Sequence, residues 1–132
     1  VSLLVHRGAV EAYGYPRKEF FIWCDDVEYT HRITRKGVGV LAPRSTVLHK
    51  SGSAYRAYQL RGKDVERYFF EVRNVIWLIR SEALFPRERV RYFLSLLFRT
   101  IQFLINNPSN PKAYGSVLRG ALEGVFRRTP GR

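Results

Sequence analysis

The residues best suited to chemistry lie in one stretch, Phe20-Phe21-Ile22-Trp23-Cys24-Asp25-Asp26-Val27-Glu28-Tyr29-Thr30-His31-Arg32. An aromatic run leads into three carboxylates within four positions, and Arg32 follows Glu28 by one helical turn. A carboxylate at the edge of a cleft can take the proton of an attacking hydroxyl once bond formation has acidified it, which is general-base catalysis. Part of the cluster has a structural explanation. Asp25 at an N-cap with Glu28 three residues later is the spacing of a capping box, and acids in a first helical turn meet the positive end of the helix dipole. Asp26 is needed for neither. A second adjacent aspartate adds repulsion unless a cation or a proton is held there, so Asp26 is the residue that asks for chemistry.

The elements that must position this cluster can be read along the chain. Ser2 to His6 reads as a short buried strand. Arg7 to Tyr13 reads as a helix stopped by Gly14 and Pro16, and Phe20 to Trp23 as a strand-like or extended piece. A helix is expected over Asp25 to Lys36, with Gly37 just past its end at a position favouring positive φ. Val38 to Leu41 and Thr46 to His49 read as two short β segments. Residues 51 to 63 read as a flexible loop. Beyond them, Asp64 to Arg80 has helical spacing with Asp64 as N-cap. Pro86 opens a long helix to about Asn107, and Lys112 to Arg128 forms a weaker third helix containing Gly115, Gly120 and Gly124.

Composition narrows the function classes. The 132 residues are one domain's worth of chain. Lys plus Arg is 23 against 11 Asp plus Glu, a net charge of +12, which favours a polyanionic neighbour such as nucleic acid, nucleotide phosphates or an anionic membrane. The arginines are spread along the chain, as on a folded surface. A basic nucleic-acid-binding module is the main rival class, but no RNP, zinc-finger or homeodomain pattern occurs, and the aromatics sit mostly at core-like helical spacing; a membrane-associated module without catalysis is the third. The single cysteine, Cys24, excludes an internal disulfide and fits a reducing compartment.

Gly14-x-Pro16, the run Phe20 to Tyr29, then Arg32 and Gly37, resembles the family 2 inverting glycosyltransferases, nearest to the bacterial rhamnosyl- and galactofuranosyltransferases. Further matches are His49, Tyr68 with Arg73-Asn74, and Gly120-x-x-x-Gly124 with Arg127 and Arg128. The resemblance implies an α/β fold: the C-terminal half of a GT-A domain over 1–50, a loop over 51–63 and a three-helix tail over 64–132. It makes Asp26 the catalytic base with Asp25 beside it, and puts Trp23 on the acceptor side, where Glu28 and Arg32 are further candidate contacts. It makes His49 a ligand of a divalent metal, manganese or magnesium, shared with an Asp-x-Asp motif that this sequence lacks. Arg56, Arg61 and Lys63 would close on the donor diphosphate.

The implied partners are a nucleotide-sugar donor, a glycan or lipid-linked acceptor, and a missing N-terminal half of the same domain, with no role for nucleic acid. The implied setting is the cytoplasmic face of the cell membrane, in cell-envelope polysaccharide synthesis. Val90 to Ile105 bears on that setting. It is too short, and too interrupted by Arg91, Arg99 and Gln102, to span a bilayer, which takes roughly 20 apolar residues. Its wide apolar surface with flanking arginines fits an interfacial helix on an anionic membrane, or a helix packed in a small bundle.

Overall fold

Helices account for all the regular structure in the computed structural model, which describes residues 3–48, 50 and 56–128. The five α-helices among these residues are α1 (Arg7–Tyr13), α2 (Asp25–Thr34), α3 (Tyr68–Arg80), α4 (Pro86–Ile105) and α5 (Pro111–Phe126). Short 3-10 turns occur at Lys18–Phe20, Ala57–Gln59 and Gly62–Arg67.

The expected α/β fold is therefore overturned: the described residues contain no strand and no sheet. The reason lies in pairing. A strand is stabilised only by a neighbour, and Val38–Leu41 and Thr46–Leu48 find none. They stay irregular, with Val38 at 94% and Leu48 at 81% exposure. Residues 3–6 are likewise irregular, and Phe20–Trp23 forms turns.

The helix boundaries follow local chemistry more closely. Gly14 closes α1 at φ +75°, a conformation that costs glycine little. α2 stops at Thr34, and the positive φ expected at Gly37 is absent. Pro86 and Pro111 open α4 and α5 at the first helical position, where a missing N–H is harmless. The Asn110 side chain caps α5 by accepting from the Lys112 N–H at 3.1 Å. Asp64 falls inside a 3-10 turn, and α3 begins four residues later.

The core is built around α3, which buries Tyr68, Val72, Val75 and Leu78. The Tyr68 ring stacks on Phe103 of α4 at 3.9 Å. α5 lies on α3 through a row of small buried residues, Ala113, Ser116, Gly120 and Gly124. A Cβ at Gly120 would come 2.7 Å from the Phe69 carbonyl oxygen and 2.9 Å from Val72 Cβ. The first is backbone and cannot swing aside.

Gly120→Ala is therefore expected to cost about 1–3 kcal/mol, despite alanine's better helix propensity. Gly115→Ala should instead stabilise by about 0.5–1 kcal/mol, because a Cβ there meets nothing within 4 Å. Urea unfolding midpoints of the two variants, moving in opposite directions, check the assignment.

α4 is asymmetric in a different way. Only Leu96 and Phe103 of its 20 residues are buried, and a row of large apolar side chains faces outward. Among the described residues no helix is long and apolar enough to cross a membrane.

Candidate functional site

The site is assembled from a turn that nothing in its own sequence favours. Phe21, Trp23 and Cys24 have φ of +61°, +61° and +64°, values that L side chains adopt at a cost of about 1–3 kcal/mol each. At Phe21 the chain makes a tight three-residue turn, the Ile22 N–H donating to the Phe20 carbonyl at 2.6 Å. This γ-turn geometry is rare and strained. At Cys24 the backbone is left-handed, and α2 starts at the next residue.

What holds the turn comes from α3. The Asn74 side-chain amide is fully buried, and its two N–H groups are shared among three carbonyls of the turn. These are Phe20 and Ile22 at 2.7 Å and Trp23 at 3.0 Å. Arg73 fixes the orientation of that amide by donating from Nε to Asn74 Oδ1 at 3.0 Å, which leaves the amino end for the turn. Its Nη2 donates to the Glu19 carbonyl at 2.9 Å. The guanidinium lies over Phe69, Phe70 and Trp77, nearest to Trp77 at 4.3 Å. Burial lowers the Arg73 pKa, with the Glu123 carboxylate opposing.

The turn delivers Asp25 and Asp26 to the start of α2. Asp26 is exposed and Asp25 half-buried. Asp26 Oδ1 accepts from the Val27 N–H at 2.8 Å, which holds one oxygen of an exposed carboxylate. Beneath them Cys24 is packed into the core. Burial pushes its thiol pKa far up, and the carboxylates of Glu71, Asp26 and Asp25 add to the effect. That shift favours the neutral thiol over the thiolate, while Arg99 opposes it. Glu71 of α3 lies 2.5 Å from Arg99 of α4. Burial raises the Glu71 pKa, and Arg99 opposes the rise.

The capping box expected from Asp25 and Glu28 does not form. Cys24 occupies the N-cap, with no side-chain cap. Glu28 is fully buried, and its Oε1 lies 2.9 Å from both Arg17 and Arg32. Arg32 also donates to the Tyr13 carbonyl and, at 2.9 Å, to the Tyr15 carbonyl. Glu28 and Arg32 thereby tie the end of α1 and the following segment to α2. At the far end of α2, Arg35 donates to the Glu82 carbonyl and lies over the Phe85 ring.

Glu28→Ala should cost about 2–3 kcal/mol by leaving two guanidinium groups without their anion. The figure is kept below that of a fully buried pair because Arg17 and Arg32 retain 22% and 19% exposure. Chemical denaturation checks it, with Glu11→Ala, an exposed pair to Arg7, as the near-neutral control.

Of the other residues expected to act, Trp23 is half-buried, with the Arg67 guanidinium 5.8 Å over its ring. Residues 56–63 are tied to the C-terminal end of α4. Asn107 donates to the Leu60 carbonyl at 3.0 Å, and Ala57 and Leu60 are buried. Arg61 donates to Asn106 Oδ1 at 3.1 Å, Arg56 to the Tyr58 hydroxyl at 2.9 Å, and Lys63 is exposed. No hydrogen bond or ion pair among the described residues joins these three to Asp25 or Asp26.

His49, the expected metal ligand, lies outside the described residues. Among the described residues no group of three or more His, Cys, Asp or Glu side chains converges as a metal site.

The residues most responsible for the site's shape are Arg73 and Asn74. Their signal in the sequence is an adjacent charged and polar pair inside the mostly apolar helical run Tyr68 to Ile79, which also holds Glu71. Comparison with family models, curated proteins and solved structures returned no match.

Proposed function

We propose that this chain supplies the catalytic base and the acceptor side of an inverting sugar-transfer reaction, with Asp26 as the base. The observation that carries the reading is the clamped turn before α2. Three left-handed side-chain-bearing residues are retained at a cost of several kcal/mol, and strain of this kind gathers where a site must be held in one geometry. The turn ends at an outward-facing carboxylate with no cation paired to it among the described residues. The resemblance of residues 14 to 37 to inverting glycosyltransferases gives that carboxylate its role.

In the proposed step an acceptor hydroxyl attacks the anomeric carbon of a nucleotide-diphosphate sugar. The acceptor O–H proton passes to Asp26, the new carbon–oxygen bond forms, and the bond to the diphosphate breaks with that group leaving as the anion. Asp25 sits beside the base, and Trp23 borders it from the turn. Arg56, Arg61 and Lys63 remain the candidate contacts to the donor diphosphate. A glycan or lipid-linked acceptor would place the reaction at the inner face of the cell membrane.

The test is Asp26→Asn introduced at the native locus, with sugar incorporation into envelope glycan as the readout. Loss of incorporation at a normal protein level is expected. Undiminished incorporation overturns the assignment.

A further inference from the structure

α4 carries two apolar faces, and the fold uses one. Leu96 and Phe103 pack inward on α3. Phe93, Leu94, Leu97, Phe98, Ile101 and Ile105 face outward, each between 50 and 70% exposed. Their spacings of one, three and four residues put them on one side of the helix, in a row roughly 18 Å long at 1.5 Å per residue. Ser95, Arg99 and Gln102 fall outside that arc. A continuous apolar row of this kind marks an interaction surface.

Charge identifies what covers it. Arg87 and Arg91 are exposed at the N-terminal end of the row, one within the arc and one at its edge. Neither is ion-paired among the described residues. The one acid in α4, Glu88, is turned away towards His31 at 3.5 Å. The whole chain carries +12, so a second copy would bring a large like charge against the same face. An anionic bilayer satisfies both parts of the surface, taking the aliphatic and phenyl groups into the acyl boundary and the arginines at the headgroups.

We propose that α4 is an interfacial anchor whose outer face seats the chain on an anionic membrane. The inference stands without the sugar-transfer reading, and its test contains no transfer assay.

The 132-residue chain is floated with vesicles of phosphatidylcholine alone, or with about one third phosphatidylglycerol. It should rise with the anionic vesicles, weakly with the neutral ones, and less as salt screens the surface. Leu97→Asp with Ile101→Asp should lower partitioning at least tenfold while the far-UV circular dichroism stays unchanged. Phe93→Ser with Phe98→Ser, a milder pair on the same row, should lower it in the same direction. Arg87→Ala with Arg91→Ala should weaken it several-fold on anionic vesicles only.

Three results would overturn the proposal. One is no flotation with anionic vesicles at low salt. Another is equal flotation of the wild-type chain and both apolar pairs. The third is a dimer in sedimentation velocity that Leu97→Asp dissolves, with no vesicle binding, since the row would then belong to a second copy.

Discussion

Asp26→Asn is expected to lower the transfer rate by about two to four orders of magnitude, the usual contribution of a positioned general base, while changing stability by less than about 0.5 kcal/mol. The two halves of that result have separate causes. Asn keeps the shape of Asp and still offers an Oδ1 to the Val27 N–H, the one hydrogen bond the Asp26 side chain makes among the described residues. The amide cannot accept the proton of an attacking hydroxyl, so the fold survives and the chemistry does not. Steady-state rates of the two proteins, with matched urea unfolding curves, check both halves. A rate within tenfold of wild type would place the base elsewhere.

Asn74→Ala should do the reverse, removing the support and leaving the base. Three hydrogen bonds to the turn disappear together, and the carbonyls of Phe20, Ile22 and Trp23 lose their donor. Arg73 Nε loses its acceptor as well. Buried polar groups left unpaired cost about 1–3 kcal/mol each. Some relaxation of the turn recovers part of this, so a net loss of about 3–4 kcal/mol is expected in urea unfolding.

Asn74→Asp separates hydrogen bonding from packing. It fills the same volume but turns acceptors towards three carbonyls, so it should be no more stable than Asn74→Ala. If Asn74→Asp matched the wild-type protein, the clamp would not be the source of the turn's conformation. Neither variant alters Asp26 itself, yet both should lose transfer, because the carboxylate is then no longer held at a fixed angle to the rest of the site.

These two positions also mark how far the sequence could be read. Where structure is decided locally it was legible. Gly14 and Pro86 set helix ends through their own backbone preferences, and the apolar spacing of Tyr68 to Ile79 identified the helix that became the core. Where structure is decided at a distance it was not. Phe20-Phe21-Ile22-Trp23 is composed of aromatic and β-branched residues that favour extended backbone, yet side chains 54 residues further along the chain hold it in a tight turn.

Glu28 has the spacing of a capping partner for Asp25, but Arg17 and Arg32 draw it into the interior instead. The β-like segments Val38–Leu41 and Thr46–Leu48 have strand composition, but composition alone does not supply a second strand. The α/β expectation failed there. Asp26 stood out in the sequence because no local structural rule needed it, and its role as base rests on the Asp26→Asn experiment. Arg73 and Asn74 were marked by the resemblance, but their grip on the turn was not legible, because it joins residues 54 positions apart.

The clamp also fixes an order of events. The local backbone energy of Phe21, Trp23 and Cys24 opposes their native conformation, so the turn has no stable form before α3 exists to grip it. Closing a segment of 54 residues between Phe20 and Asn74 carries an entropic cost that only a formed partner repays. The carboxylates at the head of α2 therefore take their places late in folding. Amides of residues 20 to 24 should exchange with solvent through a local opening that leaves α3 and α5 intact, well below the global unfolding free energy. The site then closes after α3 and loosens before it.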